Sequence, residues 1–111
     1  MTVHPEIAQV DTLATELLQQ VSGHQSRRTA QTLVTGTSQR VTLIAMADGA
    51  ELAEHFAQHA ATLYVVTGRV RLHTHDNEWL LDTGHLVAIP PQRHGLAALS
   101  DAAVLLTVAL R

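Results

Sequence analysis

Two stretches decide the fold: Gly49-Ala-Glu-Leu-Ala-Glu-His55-Phe-Ala57-Gln-His59-Ala-Ala61-Thr-Leu-Tyr-Val-Val-Thr-Gly68, and Gly84-His-Leu-Val-Ala-Ile-Pro90-Pro-Gln-Arg-His94. Both consist of short strand-like runs punctuated by glycine or proline. Reversal between tightly twisted strands often needs φ above zero, which glycine adopts without a Cβ penalty. Pro90-Pro91 suits a strand end, because neither residue can donate to a ladder. On this reading Gly68 turns one strand (62–67) into the next (69–75).

The same texture extends outward in both directions. Upstream, Thr29 to Thr35 and Val41 to Ala47 are rich in β-branched residues, separated by Gly36-Thr-Ser and closed by Asp48-Gly49. Strands are predicted near 29–35, 41–47, 51–57, 62–67, 69–75, 78–82, 85–89, 94–99 and 103–109, with further turns at Asp76-Asn77, Asp82-Thr-Gly84 and Ser100-Asp101. Before them, Ile7, Val10, Leu13, Ala14, Leu17 and Leu18 recur at helical spacing. A short helix is expected within 5–21, with Pro5 at a tolerated early position and closure near Ser22-Gly23. The chain divides into an N-terminal helical segment, 1–26, and a β domain, 27–111. Many short strands behind one helix make an all-β protein, an antiparallel sandwich or barrel.

Composition narrows the function. A chain of 111 residues is one domain, with 46% hydrophobic and 15% charged residues and no apolar run near the ~18 residues of a membrane span. The start, Met1-Thr-Val-His-Pro-Glu6, lacks the charged and apolar regions of a secretory signal, so the expected compartment is the cytoplasm. All seven basic residues are arginine and there is no cysteine, which excludes lysine Schiff bases and thiol chemistry. A net charge of -3 and only Phe56, Tyr64 and Trp79 as aromatics provide neither a phosphate-tracking patch nor a base-stacking platform. Neither nucleic acid nor membrane is an expected partner. G-x-S-x-G, P-loop and dinucleotide glycine fingerprints are all missing.

The two quoted stretches resemble the two cupin motifs. In the first, G-x5-H-x-H-x3-4-E-x6-G, Gly49, His55 and Gly68 fall in register, while Ala57 stands at the second histidine and Ala61 at the glutamate. In the second, G-x5-P-x-G-x2-H, Gly84 and Pro90 match, Gln92 replaces the glycine, and His94 comes one residue early. The resemblance covers about residues 40 to 110, and the 15 residues between Gly68 and Gly84 are similar to those of small, single-domain bacterial cupins. It implies a cupin-type antiparallel β-barrel, a jelly roll, with His55 and His94 facing its cavity.

Side chains two apart on a strand share a face, so His55, Ala57 and His59 point the same way if the strand stays regular. With the resemblance, His55, His59 and His94 become candidate metal ligands, His59 standing in for the histidine replaced by Ala57. Imidazoles suit one divalent transition metal, such as zinc, nickel, iron or manganese. The competing reading puts His59 in a solvated loop and leaves His55 and His94 as neutral, hydrogen-bonded histidines in a metal-free protein. Asp48, Glu51 and Glu54 do not occupy the family's glutamate position, and Glu54 has outward parity. The candidate ligand pocket comprises His55, Ala57, Leu63, Val65, Arg93 and His94, with Arg93 at the barrel mouth positioned to clamp a carboxylate. No catalytic residue is assigned.

The remaining polar residues read as surface. His73 and His75 are expected on the outer face by a hairpin tip, Arg69 and Arg71 on a solvated strand face, and His85 in a turn. Phe56, Tyr64 and Trp79 have outward parity and suit sheet packing or a dimer contact. The functional expectation is a cupin domain that binds a small molecule as a sensor or binding module, without evident catalytic machinery. Its alternative is a metal-dependent oxygenase or isomerase, and fold alone does not choose. A homodimer is expected, because the amphipathic helix and the open sheet edges both need cover and related small cupins commonly dimerise.

Overall fold

Among the described residues, alternating aliphatic residues cut by regular turns produce nine strands behind one helix. The computed structural model describes residues 7–23, 25–56 and 58–111. Helix α1 (Val10–Val21) precedes β1 (Arg28–Thr35), β2 (Gln39–Met46), β3 (Glu51–His55), β4 (Ala61–Thr67), β5 (Arg69–His73), β6 (Glu78–Asp82), β7 (Leu86–Ala88), β8 (His94–Ala98) and β9 (Ala102–Ala109). A five-stranded sheet, ordered β1-β2-β9-β4-β7, packs on a four-stranded sheet, ordered β3-β8-β5-β6. Every strand pairing is antiparallel. The protein is an all-β jelly roll with one short helix. No helix among the described residues is long and apolar enough to cross a membrane.

Four expected strands are shorter than their sequence texture suggests: β7 loses one residue at each end and β8 one at its C-terminal end, while β3 and β5 lose two at their C-terminal ends. β3 stops at His55, and β5 stops at His73 because Thr74 turns the chain: its N–H donates to Asn77 O at 2.8 Å, while Asn77 N–H donates to Thr74 Oγ1 at 3.2 Å. The helix, Val10–Val21, lies within the expected 5–21. Ile7, expected on its apolar face, is 89% exposed, and the first helical bond runs from Leu13 N–H to Gln9 O at 3.0 Å. His4, Pro5, His24 and Ala57 lie outside the described residues.

Inner positions of both sheets share one aliphatic core in which Met46, Val65, Val70, Leu72 and Val104 are almost fully buried. Each such side chain contributes about 1.5–3 kcal/mol by leaving water. The helix lies on the outside of the five-stranded sheet, pressing Ala14 and Leu17 onto Leu43, Ala45 and Ala103. Its apolar face is therefore satisfied within the protomer, which removes one of the two reasons for expecting a dimer.

Gly68 makes the corner between the sheets, ending β4 in one and starting β5 in the other with φ of 93°. Thr83 Oγ1 accepts its N–H at 2.9 Å. Just past the corner, Arg69 Nε meets Asp82 Oδ1 at 2.7 Å, and this hydrogen bond holds the Asp82 carboxyl below its ordinary 3.8. A depressed folded pKa means that the pair's stabilisation is complete above pH 3.8 and is lost as pH falls through the lower folded value. Both side chains are about half exposed, so the effect is small. In thermal melts from pH 7 downward, Asp82→Asn is expected to fall slightly below the parent at neutrality and to converge with it at the acid end. A gap that widened with acid would contradict this.

Candidate functional site

The site is made by a bulge. β3 pairs with β8 through Glu51 with Ala97 and Leu52 with Leu96, then slips so that His55 rather than Glu54 stands opposite His94. Without the extra residue, strict alternation from the inward Leu52 would put Glu54 inside and His55 outside. The bulge exchanges them, bringing an imidazole to the rim of the hollow and sending the carboxylate out.

His94 is only 5% exposed, and its Nδ1 lies 3.0 Å from Gln92 O. A carbonyl only accepts, so Nδ1 carries the proton and Nε2 keeps its lone pair in the neutral ring. His55 sits at the exposed rim with Nδ1 at 3.5 Å from Ala53 O, a weaker contact of the same kind. The ring centroids are 4.5 Å apart with planes inclined at 57°. Beneath them Ile44, Leu63, Leu72, Leu96 and Leu106 line a hollow of about 30 Å³, enough for about one water.

The structure therefore assembles part of the expected pocket. His55, Leu63 and His94 line the hollow, while Val65 is fully buried in the aliphatic core. Arg93 is not in it. This arginine lies just before β8 and is 70% exposed, with Nε 3.5 Å from Glu54 Oε1. Ala57 lies outside the described residues. His59 is exposed in the bend after β3, so the shared face with His55 ends where the strand does. Among the described residues, no three His, Asp or Glu side chains converge as a metal site, and the expected His55, His59 and His94 grouping is not assembled.

Outside the mouth is a cluster that sequence parity only half shows. Glu54 Oε2 is 3.8 Å from His73 Nδ1 while its other oxygen meets Arg93. The His73 ring lies on the bare backbone of Gly95, where an added Cβ would come within 2.7 Å of His73 Cε1. Outward parity of Glu54 and His73 was legible, but their meeting needs β3, β8 and β5 side by side. His75, by contrast, is 99% exposed beyond the strand end. His85 Nδ1 accepts the Asp82 N–H at 2.9 Å, as a turn residue does.

This architecture recurs in solved structures. A conserved Streptococcus pyogenes protein of unknown function matches with a TM-score of 0.73 and 17% identity, over 97% of this chain and 90% of its own. A cupin superfamily protein from Desulfitobacterium hafniense matches at 0.74 with 14% identity, over 86% and 88%. KdgF from Halomonas sp. matches at 0.69 with 20% identity, over 76% and 79%. No family model matches the sequence, and no curated protein matches it. The chain has the RmlC-like cupin fold, in the compact form seen in small bacterial cupins.

Proposed function

We propose that this domain binds a small molecule at the barrel mouth without transforming it, with His55 and His94 as its polar receptors. The observation that carries the reading is the imidazole pair set over an aliphatic interior. With Nδ1 of His94 occupied by Gln92 O, its Nε2 is an acceptor that a ligand hydroxyl or amide N–H would satisfy. Ligand pockets usually measure about 300 Å³ or more. The hollow, at about 30 Å³, admits no more than a methyl-sized group, so the ligand body would rest across the mouth.

Catalysis finds little support. General acid–base work needs groups whose environments drive their pKa values apart, and the hollow is lined by two imidazoles and aliphatic side chains. The metal that cupin resemblance implies was tested against the same donors. Structural and catalytic metal sites draw three or four ligands from the protein, whereas Glu51 and Glu54 are turned outward here and His59 stands apart. Two histidines do not fit a resident ion.

The deciding experiment pairs metal analysis of the tag-free protein with a nuclear magnetic resonance screen of small neutral alcohols and amides. Expected are substoichiometric metal and ligand-induced shifts at His55 and His94. His94→Leu should keep the fold, since the leucine refills the buried site and the carbonyl it releases belongs to the exposed Gln92, where water can replace the lost donor. It should weaken the best fragment by roughly tenfold, the loss of one hydrogen bond. One equivalent of metal that disappears in His94→Ala but survives in His73→Ala/His75→Ala would overturn this reading in favour of a metal-dependent enzyme.

A further inference from the structure

We infer that Glu54 is the positioning residue of the mouth: its carboxylate, excluded from the hollow and held outside β8 by Arg93 and His73, fixes the bulge that presents His55 to His94. The inference rests on the reading of that imidazole pair as the receptor, and it adds the residue that assembles the pair. β3 is the outermost strand of its sheet, so β8 alone sets its ladder. Its own apolar pattern is too thin to fix a register, because Leu52 is half-buried and every other residue of the strand is exposed. β8, buried along its whole length, is the fixed rail. The start of β3 is pinned separately, by Arg28 Nη1 donating to Glu51 O at 2.6 Å, which leaves the far end as the part free to slip.

Two arrangements compete beyond Leu52. In an unbulged ladder Ala53 would face Gly95 and Glu54 would face His94, turning the carboxylate over the aliphatic floor of Ile44, Leu63, Leu72, Leu96 and Leu106. Those side chains offer it no donor. The remaining nitrogen of His94 offers none either, because Nδ1 donates to Gln92 O and Nε2 is therefore an acceptor. A carboxylate desolvated against another acceptor is strongly disfavoured. The bulge avoids this by giving β3 one extra residue, so that Ala53 and Glu54 together span Gly95.

Outside, the same carboxylate finds donors. Oε1 lies 3.5 Å from Arg93 Nε and Oε2 lies 3.8 Å from His73 Nδ1, so the side chain bridges from β3 across β8 to the end of β5. Gly95 makes the crossing possible. A Cβ there would stand 3.3 Å from Glu54 Cγ and 2.7 Å from His73 Cε1, so a larger residue would fill the gap in which the two meet. These outer contacts reach solvent and are individually weak. Exclusion from the hollow therefore supplies most of the preference, and Arg93 and His73 select where the carboxylate goes.

Nuclear magnetic resonance of the labelled, ligand-free protein reads the pair directly. With ring centroids 4.5 Å apart, the parent should show cross-relaxation between the His55 and His94 ring protons. Glu54→Leu favours the unbulged register, because its side chain suits the aliphatic floor and gains nothing outside. The cross-peak should fall by roughly tenfold or more as the population moves, and the introduced methyls should show contacts to Leu63 and Leu106. Glu54→Gln, still polar and able to accept from Arg93, should retain the cross-peak. Arg71→Ala, which breaks the pair with Glu78 on the same face, should leave it unchanged. Position 54 is exposed, so the leucine variant should fold, and Glu54→Met repeats the test if it does not. A full cross-peak in the folded apolar variant overturns the inference. So does its loss in Glu54→Gln or Arg71→Ala, or its absence from the parent. No ligand enters the measurement, so a mouth that binds nothing would sink the receptor reading and leave this result standing.

Discussion

Gly68→Ala is expected to be the most damaging single-methyl change in this protein. Two effects coincide at the sheet-to-sheet corner. The backbone sits at φ of 93°, which a residue with a Cβ adopts at a cost of about 1–3 kcal/mol. An added Cβ would also collide with the carbonyl oxygen of Asp101 and come within 2.8 Å of Ala102 Cα. Those are backbone atoms that cannot rotate away, and forced overpacking costs a further ~1–3 kcal/mol. Together about 2–6 kcal/mol is removed from a stability of about 5–15 kcal/mol, a melting-point loss of at least about 8 °C.

Gly84→Ala is the internal control. Its φ of 87° imposes similar backbone strain, yet nothing lies within 4 Å of its Cβ position. It is expected to lose only the strain contribution, about 1–3 kcal/mol. Thermal melts of the two variants side by side separate strain from collision. If both melt within a few degrees of each other, the corner is looser than its geometry indicates.

Leu72→Ala is expected to cost about 2–5 kcal/mol and to change the site as well. Leu72 is 1% exposed on β5, belongs to the central core, and lies under the His55–His94 pair as a wall of the 30 Å³ hollow. Truncation joins the lost side-chain volume to that hollow. An enlarged apolar void stays dry and accepts small apolar guests. Denaturant melts should show the loss, and xenon or benzene should restore part of it by binding the folded state. A loss below about 1 kcal/mol, with no response to either guest, would mean that the barrel collapses to fill the gap.

All nine strands and the helix were legible in the sequence because their signals are local. Alternation at Ala61–Thr67, the helical spacing of Val10, Leu13, Ala14 and Leu17, and glycines at 49, 68 and 84 each report a conformation set by a residue and its near neighbours. The inward placement of His94 was legible through its place in the second motif. The outward aromatics Phe56, Tyr64 and Trp79 also followed from parity, at 60%, 37% and 38% exposure.

What only the tertiary structure decided is how these elements meet. The slip between Leu52 and His55 is a property of β3 paired to β8, and no residue of β3 alone announces it. That slip is how His55 reaches the mouth and Glu54 turns out, the places the motif assigned them, and it leaves Glu54 beside Arg93 and His73; β3 ends at His55, before His59 can share the face. Arg93 was expected in the pocket because it adjoins His94, but it lies just before β8 with its side chain turned out to Glu54. The amphipathic helix was legible as a helix seeking cover, yet its cover is Leu43, Ala45 and Ala103 of its own sheet. Sequence pattern determines which faces are apolar; which surface meets them depends on contacts between residues far apart in the chain, and those exist only once both sheets are closed.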